Sequence, residues 1–271
     1  MSRPPISAIV IAKDEAATID RCLASLAWAE EIVVVVDAAT RDDTAERARR
    51  YTPAVVEAPW QGFVGQKLLA LSHTSHDWVL WLDADEAIPA ALAEDIQAAS
   101  FKRFSAFELA RRHWFVDRWL SYGGTFPDWN VRLFMKSVAT FSAVAVHEAL
   151  AVSGSVGRLP TPLEHYSTPT LSARIQKIDR YSAPDEDAPL GRPTLLRSLT
   201  LAPVQRFLLV YVRRQGFRDG RAGLVWAVCC AFESFLEAAK RWEAVAAADA
   251  ERPQGRAATT TKAESCRLDR P

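Results

Sequence analysis

The stretch Trp78-Val-Leu-Trp-Leu-Asp83-Ala-Asp85-Glu86 decides how this chain is read. A block of large apolar residues runs directly into three carboxylates. A run this short and this apolar predicts a strand buried on both faces. Ala84 lets Asp83 and Asp85 sit close together at its carboxyl end, where ligands bind in open α/β sheets. Neighbouring carboxylates raise each other's pKa unless a cation or hydrogen-bond donors keep them charged. Carboxylate oxygen suits a hard divalent ion, Mg2+ or Mn2+, which usually comes with a diphosphate. The competing explanation is an acidic loop that caps a helix starting near Pro89. An isolated Asp-x-Asp does not separate the two.

Upstream, Ile6 to Ile11 reads as a strand followed by Lys13-Asp14-Glu15. Ala16 to Leu26 reads as a helix with Ile19, Cys22, Leu23 and Leu26 on one face. Ile32 to Val36 is a β-branched strand ending in Asp37, too apolar for an edge. Thr40-Arg-Asp-Asp43 has the form of a capping box, opening a helix to about Tyr51. Val55 to Ala58 is a short strand. Gly62 and Gly65 flank a turn, and a helix begins at Gln66. Strand and helix therefore alternate four times in the first ~90 residues. That alternation predicts a doubly wound, mainly parallel sheet with right-handed crossovers. It gathers Asp14, Glu15, Asp37, Asp83, Asp85 and Glu86 into one acidic crevice.

The totals narrow the classes. The 271 residues are 49% hydrophobic and 24% charged, enough for one α/β domain with an appendage. A formal net charge of zero gives no argument for nucleic acid. Cys22, Cys229, Cys230 and Cys266 lack C-x-x-C spacing, and Cys229 and Cys230, neighbours in an apolar helix-like run, read as core thiols, which points to a reducing compartment. The first residues lead directly into a strand, so no signal peptide is expected. The longest uncharged run in the C-terminal part, Ala222 to Phe232, is far shorter than the ~20 residues of a membrane span. No G-x-G-x-x-G follows the first strand and no G-x-x-x-x-G-K-[ST] occurs, which counts against dehydrogenases and P-loop NTPases.

Ile-Ala-Lys-Asp-Glu near the start, Val-Val-Asp-Ala-Ala-Thr-Arg-Asp-Asp-Thr, Gly-Gln-Lys-Leu-Leu-Ala-Leu and Trp-Leu-Asp-Ala-Asp-Glu, in this order, resemble glycosyltransferase family 2. Asp128-Trp-Asn-Val-Arg-Leu-Phe, Val146-His-Glu, Glu164-His-Tyr-Ser and Tyr211-Val-Arg-Arg-Gln-Gly-Phe-Arg-Asp-Gly-Arg-Ala-Gly-Leu resemble a narrower group, the lipopolysaccharide-core β-glucosyltransferases. The likeness runs from about Ile6 to Glu243. It departs at Lys13-Asp14, where the family has Asn before Glu, and at Asp37-Ala-Ala, where it has Asp-Gly-Ser. The resemblance implies a GT-A fold and an inverting, metal-dependent transfer from a nucleotide-diphosphate sugar. UDP-glucose and an inner-core heptose are the implied donor and acceptor; a peptide or another lipid-linked glycan is the alternative. By the same resemblance Asp14, Glu15, Asp37, Gln66, Lys67 and Asp83 hold the nucleotide. The metal goes to Asp83 and Asp85.

Beyond the acids, Pro89 to Ala99 reads as a helix and Phe104 to Leu109 as a strand. Arg111, Arg112 and His113 form a basic cluster, either a solvated hairpin tip or a clamp on an anion. Trp114, Trp119, Tyr122, Phe126 and Trp129 crowd around Gly123-Gly124, as a sugar-stacking platform with a mobile loop or as packing on the sheet. Arg132, in an apolar strand, needs a carboxylate or phosphate partner. His165 is either a third metal or diphosphate ligand or a core histidine. Two carboxylates compete for the role of base. Asp128 lies in an aromatic loop and is expected to be solvated with an ordinary pKa. Glu148 ends an apolar segment, where partial desolvation would make it a better base.

Thr170 to Tyr181 reads as a helix, followed by a Pro- and acid-rich linker. Arg192, Arg197, Arg206, Arg213, Arg214, Arg218 and Arg221 then face one acid, Asp219. The expected organisation is a catalytic domain over residues 1–185, amphipathic helices over 186–248 and a disordered tail over 249–271. Amphipathic helices bearing arginines predict contact with an anionic membrane surface, at the inner face of the cytoplasmic membrane. A sugar-nucleotide pyrophosphorylase would need a Gly-rich basic loop after the first strand, which is missing. A catalytically inactive nucleotide-sugar binder remains the non-enzymatic alternative.

Overall fold

Ile6–Ala12 (β1) is buried at every position, as a strand paired on both edges and covered on both faces must be. The structure, a computed structural model, describes residues 3–144, 147–182 and 192–251, and of 142–144, 147–149, 181, 192–194 and 248–251 the backbone alone. β1 runs parallel to Glu31–Asp37 (β2) on one side and to Trp78–Asp83 (β4) on the other. Val55–Ala58 (β3) adds a parallel strand beyond β2. Helices Ile19–Ala24 (α1), Thr44–Ala48 (α2) and Gly62–Ser72 (α3) make the crossovers. All four strands therefore end at the same side of the sheet, and their terminal acids meet there.

After β4 the sheet becomes mixed. The later elements are Glu86–Ala87 (β5), Ala90–Gln97 (α4), Ala106–Phe115 (β6), Arg118–Trp119 (β7) and Asp128–Met135 (β8), then Ala139–Val144 (β9), His147–Val152 (β10), Val156–Arg158 (β11) and Leu163–Thr168 (β12). The main path is β3-β2-β1-β4-β8-β6-β12-β5, with β9 and β10 as a separate hairpin. β8 is antiparallel to both β4 and β6, while β12 is parallel to β6. β5 pairs with β12, so the turn that carries Asp85 is tied to the far strand of the sheet.

The two faces of the sheet carry separate cores. Ile6, Val10, Val34, Leu80 and Leu82 pack under α1 and α4 with Leu23, Leu92 and Ile96. Ile9, Val33, Val35, Val79 and Phe134 pack under α3 and the β9–β10 hairpin with Ala70, Phe141, Leu150 and Val152. Each fully buried side chain of this size contributes roughly 1.5–3 kcal/mol. The alternation along β1, odd residues to one core and even residues to the other, is why the run is apolar throughout.

The remaining helices are Leu171–Tyr181 (α5), Arg192–Leu208 (α6) and Gly220–Glu251 (α7). The Thr170 hydroxyl caps α5 by accepting from the Ala173 N–H. A π-turn, Leu209–Arg213, and a 3-10 turn, Gly216–Asp219, join α6 to α7. Val210, Ala227 and Cys230 bind the two helices together, and Phe115, Leu120, Ala222 and Trp226 dock them on the sheet.

Several local expectations are corrected. The capping box does not form: the helix N-cap is Asp43, three residues later than read, and Asp42 accepts from the Thr44 N–H. Gly62 and Gly65 lie inside α3 rather than flanking a turn. β6 runs through Arg111, Arg112 and His113, so they stand on a strand and not on a hairpin tip. Asp128 likewise opens β8. The short uncharged run understated the C-terminal helices: Leu195–Arg213 and Gly216–Ala247 are each long and apolar enough to cross a membrane by length and composition. The expected linker over 185–193 and tail over 249–271 are each cut short, because Arg192 and Pro193 open α6 and α7 runs to Glu251; residues 185–191 and those after 251 lie outside the described residues.

Candidate functional site

At the carboxyl end of β4 the acids are each matched to a basic group. Arg132 on β8 is buried, and its Nη2 reaches Glu86 Oε1 at 2.7 Å and Asp83 Oδ2 at 3.1 Å. Glu86 also accepts from the Asp83 N–H at 2.9 Å, closing a tight turn around Ala84. Burial pushes the Glu86 carboxyl up to about 7, against the pull of Arg132. Burial also acts upward on Asp83, but Arg132 and Lys67 outweigh it and hold that carboxyl well below its usual range. Both follow from one arrangement, in which two carboxylates share one guanidinium.

A second line of contacts leads away from Asp85. Its Oδ2 meets His165 Nε2 at 3.2 Å, and His165 Nδ1 meets His113 Nδ1 at 3.1 Å. His113 Nε2 lies 3.6 Å from Asp128, which Arg111 grips through two nitrogens at 2.6 and 2.8 Å. Arg111 in turn approaches Glu86 at 3.6 Å. Residues from β4, β5, β6, β8 and β12 thus form one continuous polar network. The expectation of a solvated Asp128 with an ordinary pKa is corrected: His113 and, more directly, Arg111 hold its carboxyl well below the usual range.

The nucleotide-side residues are placed as follows. Asp37 is buried and paired with Lys13 at 2.6 Å, so the departure Lys13 supplies its cation. Asp14, with φ of 53°, accepts from the Arg41 N–H at 2.7 Å. Glu15 accepts from Thr18 Oγ1 at 2.6 Å, and burial raises its pKa, with Asp85 adding repulsion. Gln66 is buried and its Nε2 donates to the Pro59 carbonyl at 3.1 Å, while its Oε1 is buried without a hydrogen-bond partner. Lys67 is buried with Nζ 3.5 Å from the Trp81 ring centroid, a cation–π contact. Lys67, Trp81, Asp83, Arg111, Asn130, Arg132 and Leu150 line an open cleft of about 380 Å³. A larger cleft of about 480 Å³ between α3 and β9 lacks carboxylates, and its lysine, Lys136, is bonded to Thr74.

The aromatic segment is not a single platform. Trp114 and Trp119 pack edge to face at 5.0 Å and share Tyr166, Tyr122 lies under Arg218, and Trp129 lies under Arg158. The Gly123-Gly124 loop is fastened rather than free. The Gly123 N–H donates to the Arg214 carbonyl at 2.8 Å, and Asp219 accepts from the N–H groups of Ser121 and Tyr122. Glu148 has a described backbone, two positions along β10 from Leu150, but its side chain lies outside the described atoms.

The donor chemistry at Asp85 fits a hard divalent ion in part. Among the described residues, no group of three His, Cys, Asp or Glu side chains converges on one point. Asp85 and His165 offer one carboxylate and one imidazole side by side. Magnesium and manganese sites commonly use one or two protein ligands, with phosphate and water completing the shell. Asp83 fits less well, because Arg132 already holds its Oδ2. Reasoning from the sequence missed Arg111 and His113 as partners of Asp128, and Glu86 as the anchor of Arg132. The single cue was Arg132 itself, a charge in an apolar strand.

Comparison with known proteins gives the family. Residues 7–139 match the model of Glycosyl transferase family 2. The chain is 30% identical over 251 residues to the lipopolysaccharide core biosynthesis glycosyltransferase LpsC of Rhizobium meliloti, covering 88% of this chain and 92% of that one. It is 28% identical over 257 residues to an uncharacterized glycosyltransferase of Rickettsia felis, covering 89% and 90%. Among solved structures, the mannosyltransferase PcManGT from Pyrobaculum calidifontis, in complex with GDP-Man and Mn2+, overlays with a TM-score of 0.48 at 18% identity, covering 91% of this chain and 76% of that one. Conserved length, ordered motifs and a parallel sheet whose acids meet at one end lead to one assignment: the chain belongs to glycosyltransferase family 2, in the group of the lipopolysaccharide core glycosyltransferases.

Proposed function

We propose that this glycosyltransferase is an inverting hexosyltransferase that uses UDP-glucose and extends the inner core of lipopolysaccharide. The observation that carries this reading is the Asp85–His165 pair at the carboxyl end of β4, beside the cleft that Lys67, Asp83 and Arg132 line. The donor's nucleotide lies toward Asp37, Glu15 and Lys67, its diphosphate toward Asp85 and His165. Asp85 and His165 would hold a Mg2+ or Mn2+ ion, which would supply positive charge to the departing diphosphate. Asp83, fixed by Arg132, orients the ribose.

Glu148 is the proposed base. Its backbone is two residues from Leu150, which lines the cleft. Asp128, clamped by Arg111, is a poor proton acceptor and orients the acceptor hydroxyl instead. Removal of the hydroxyl proton on the face opposite the leaving group gives single displacement with inversion. The exposed apolar residues of α6 and α7, including Leu196, Val204, Leu208, Val228 and Trp242, support placement at the inner face of the cytoplasmic membrane.

Release of UDP from UDP-glucose, with and without Mn2+ and acceptor, tests the reading. Wild type should show metal-dependent release that acceptor accelerates, and Asp85→Asn should abolish it. A wild type that binds UDP-glucose without ever releasing UDP would be an inactive binder.

A further inference from the structure

Behind Asp128 lies a second cleft, of about 230 Å³, between β6, the 121–127 loop and the C-terminal helices. His113, Gly124, Asp128, Arg206, Arg214 and Trp226 are among its lining residues. The Arg111–Asp128 ion pair is the wall between the two clefts, with Arg111 lining the first and Asp128 the second.

The cations around these clefts are not treated alike. Arg132 has Asp83 and Glu86, Arg111 has Asp128, and Arg174 has Glu233 at 2.6 Å. Arg206 and Arg214 line the second cleft without a carboxylate partner among the described residues. The one acid between Arg192 and Arg221, Asp219, is taken up by the N–H groups of Ser121 and Tyr122.

Arg214 is also held in place. Its N–H donates to the Leu209 carbonyl at 2.8 Å and its own carbonyl accepts from Gly123 at 2.8 Å. Its guanidinium lies across Gly124, where a Cβ would come within 2.5 Å of Nη1. Gly124, at φ of 81°, thus makes room for a side chain of the opposite element. A concave site with two unpaired guanidinium groups concentrates positive potential and offers planar forks that match phosphate or carboxylate oxygens.

We propose that Arg206 and Arg214 bind an anionic group, a phosphate or a carboxylate, on the sugar acceptor. This rests on the reading above, in which the acceptor hydroxyl meets Asp128. The acceptor spans the cleft with its anion on the arginines and its neutral hydroxyl end at His113 and Asp128. The two ends set which hydroxyl is presented to the donor.

Calorimetric titration with glucose 6-phosphate, glucuronate and glucose tests this on the full chain, in wild type, Arg206→Gln, Arg214→Gln and the double variant. Both side chains are exposed, so neither change removes core packing, and an unchanged unfolding midpoint checks it. Wild type should bind the anionic sugars at least about tenfold more tightly than glucose, each single variant should lose roughly tenfold, and the double variant should lose the preference. The tighter of the two anions identifies the group. Equal binding of glucose, or a preference that survives in the double variant, overturns the proposal. So does flotation in which wild type binds vesicles containing phosphatidylglycerol and the double variant does not, while the double variant keeps the sugar anions; that result assigns the arginines to lipid headgroups. UDP titrated into wild type separates the failures: bound UDP without anion preference overturns the arginine site alone, and no UDP binding overturns the function reading beneath it.

Discussion

His113 and His165 meet through their Nδ1 atoms at 3.1 Å, and each turns its Nε2 toward a different carboxylate. With Nε2 of His165 given to a metal on Asp85, its hydrogen is on Nδ1 and donates to His113 Nδ1, which leaves the His113 hydrogen on Nε2, facing Asp128. The pair therefore joins Asp85 to Asp128 through β6 and β12, the two carboxylates that the proposed function sets on the diphosphate and acceptor sides. Loss of the inner ring should weaken the outer one. His113→Phe should raise the Mn2+ concentration for half-maximal UDP release by about 10–100-fold, the usual effect of removing a ligand's supporting hydrogen bond. A metal titration of UDP release reads this directly; an unchanged midpoint would separate the two histidines functionally.

Arg132 should be among the least replaceable residues for stability. Arg132→Met leaves the buried Glu86 and the half-buried Asp83 without the guanidinium they share, and Arg111, at 3.6 Å from Glu86, is too distant to replace it. Stranding a charge in this way costs on the order of 3–5 kcal/mol. Urea denaturation should show a loss of that order. Glu86→Gln, which leaves Arg132 still paired with Asp83, should cost less.

Asp128 should contribute an acid-sensitive share of stability. Its folded pKa is depressed, so its contribution is complete above the unfolded carboxylate range near ~4 and is lost as pH falls toward the folded value. In denaturation at a series of pH values, the gap between wild type and Asp128→Asn should be constant above about pH 5 and shrink below about 4. A gap that widens on acidification would contradict the ion-pair assignment.

Asp219 ties the loop to the C-terminal helices. Asp219→Ala leaves the N–H groups of Ser121 and Tyr122 without their acceptor, at a cost of about 1–3 kcal/mol. Hydrogen exchange should rise across 121–124 while β1 and β4 keep their protection. Uniform exchange across the loop and sheet would show that the loop has no independent opening.

Glu148→Gln removes a proton acceptor with little change in shape. Transfer should fall by on the order of 10²–10⁴, with UDP-glucose binding retained. Normal transfer in this variant, with transfer lost in Asp128→Asn, would reverse the two roles.

The first four strands were legible because physics leaves few options for them. A β-branched run such as Ile32 to Val36 can be satisfied only in the middle of a sheet, and β2 is found there. Boundaries were harder wherever side chains compete for backbone groups. Asp43 replaced Thr40 as the N-cap while Asp42 took the Thr44 N–H, and nothing in the run Arg-Asp-Asp marks which acid turns inward. The site was legible as types and not as pairs. Arg132 announced its need for a carboxylate, but its partners Asp83 and Glu86 are 49 and 46 residues away. The His113–His165 contact depends on β12 lying parallel to β6, a pairing that no local pattern encodes. The glycines of Gln215-Gly-Phe-Arg-Asp-Gly-Arg-Ala-Gly became intelligible only in three dimensions. At Gly223 a Cβ would collide with the Gly216 carbonyl, so the motif describes a close crossing of backbone.

The fastening of the 121–124 loop to Asp219 and Arg214 has an evolutionary consequence. The donor cleft is built from β4, α3, β6, β8 and β10, whereas the second cleft borrows Arg206, Arg214 and Trp226 from the C-terminal hairpin. Substitutions in the hairpin therefore change the lining of the second cleft while the first keeps its residues. On the acceptor assignment proposed above, a lineage that varies α6 and α7 changes which glycan it extends without altering the nucleotide half.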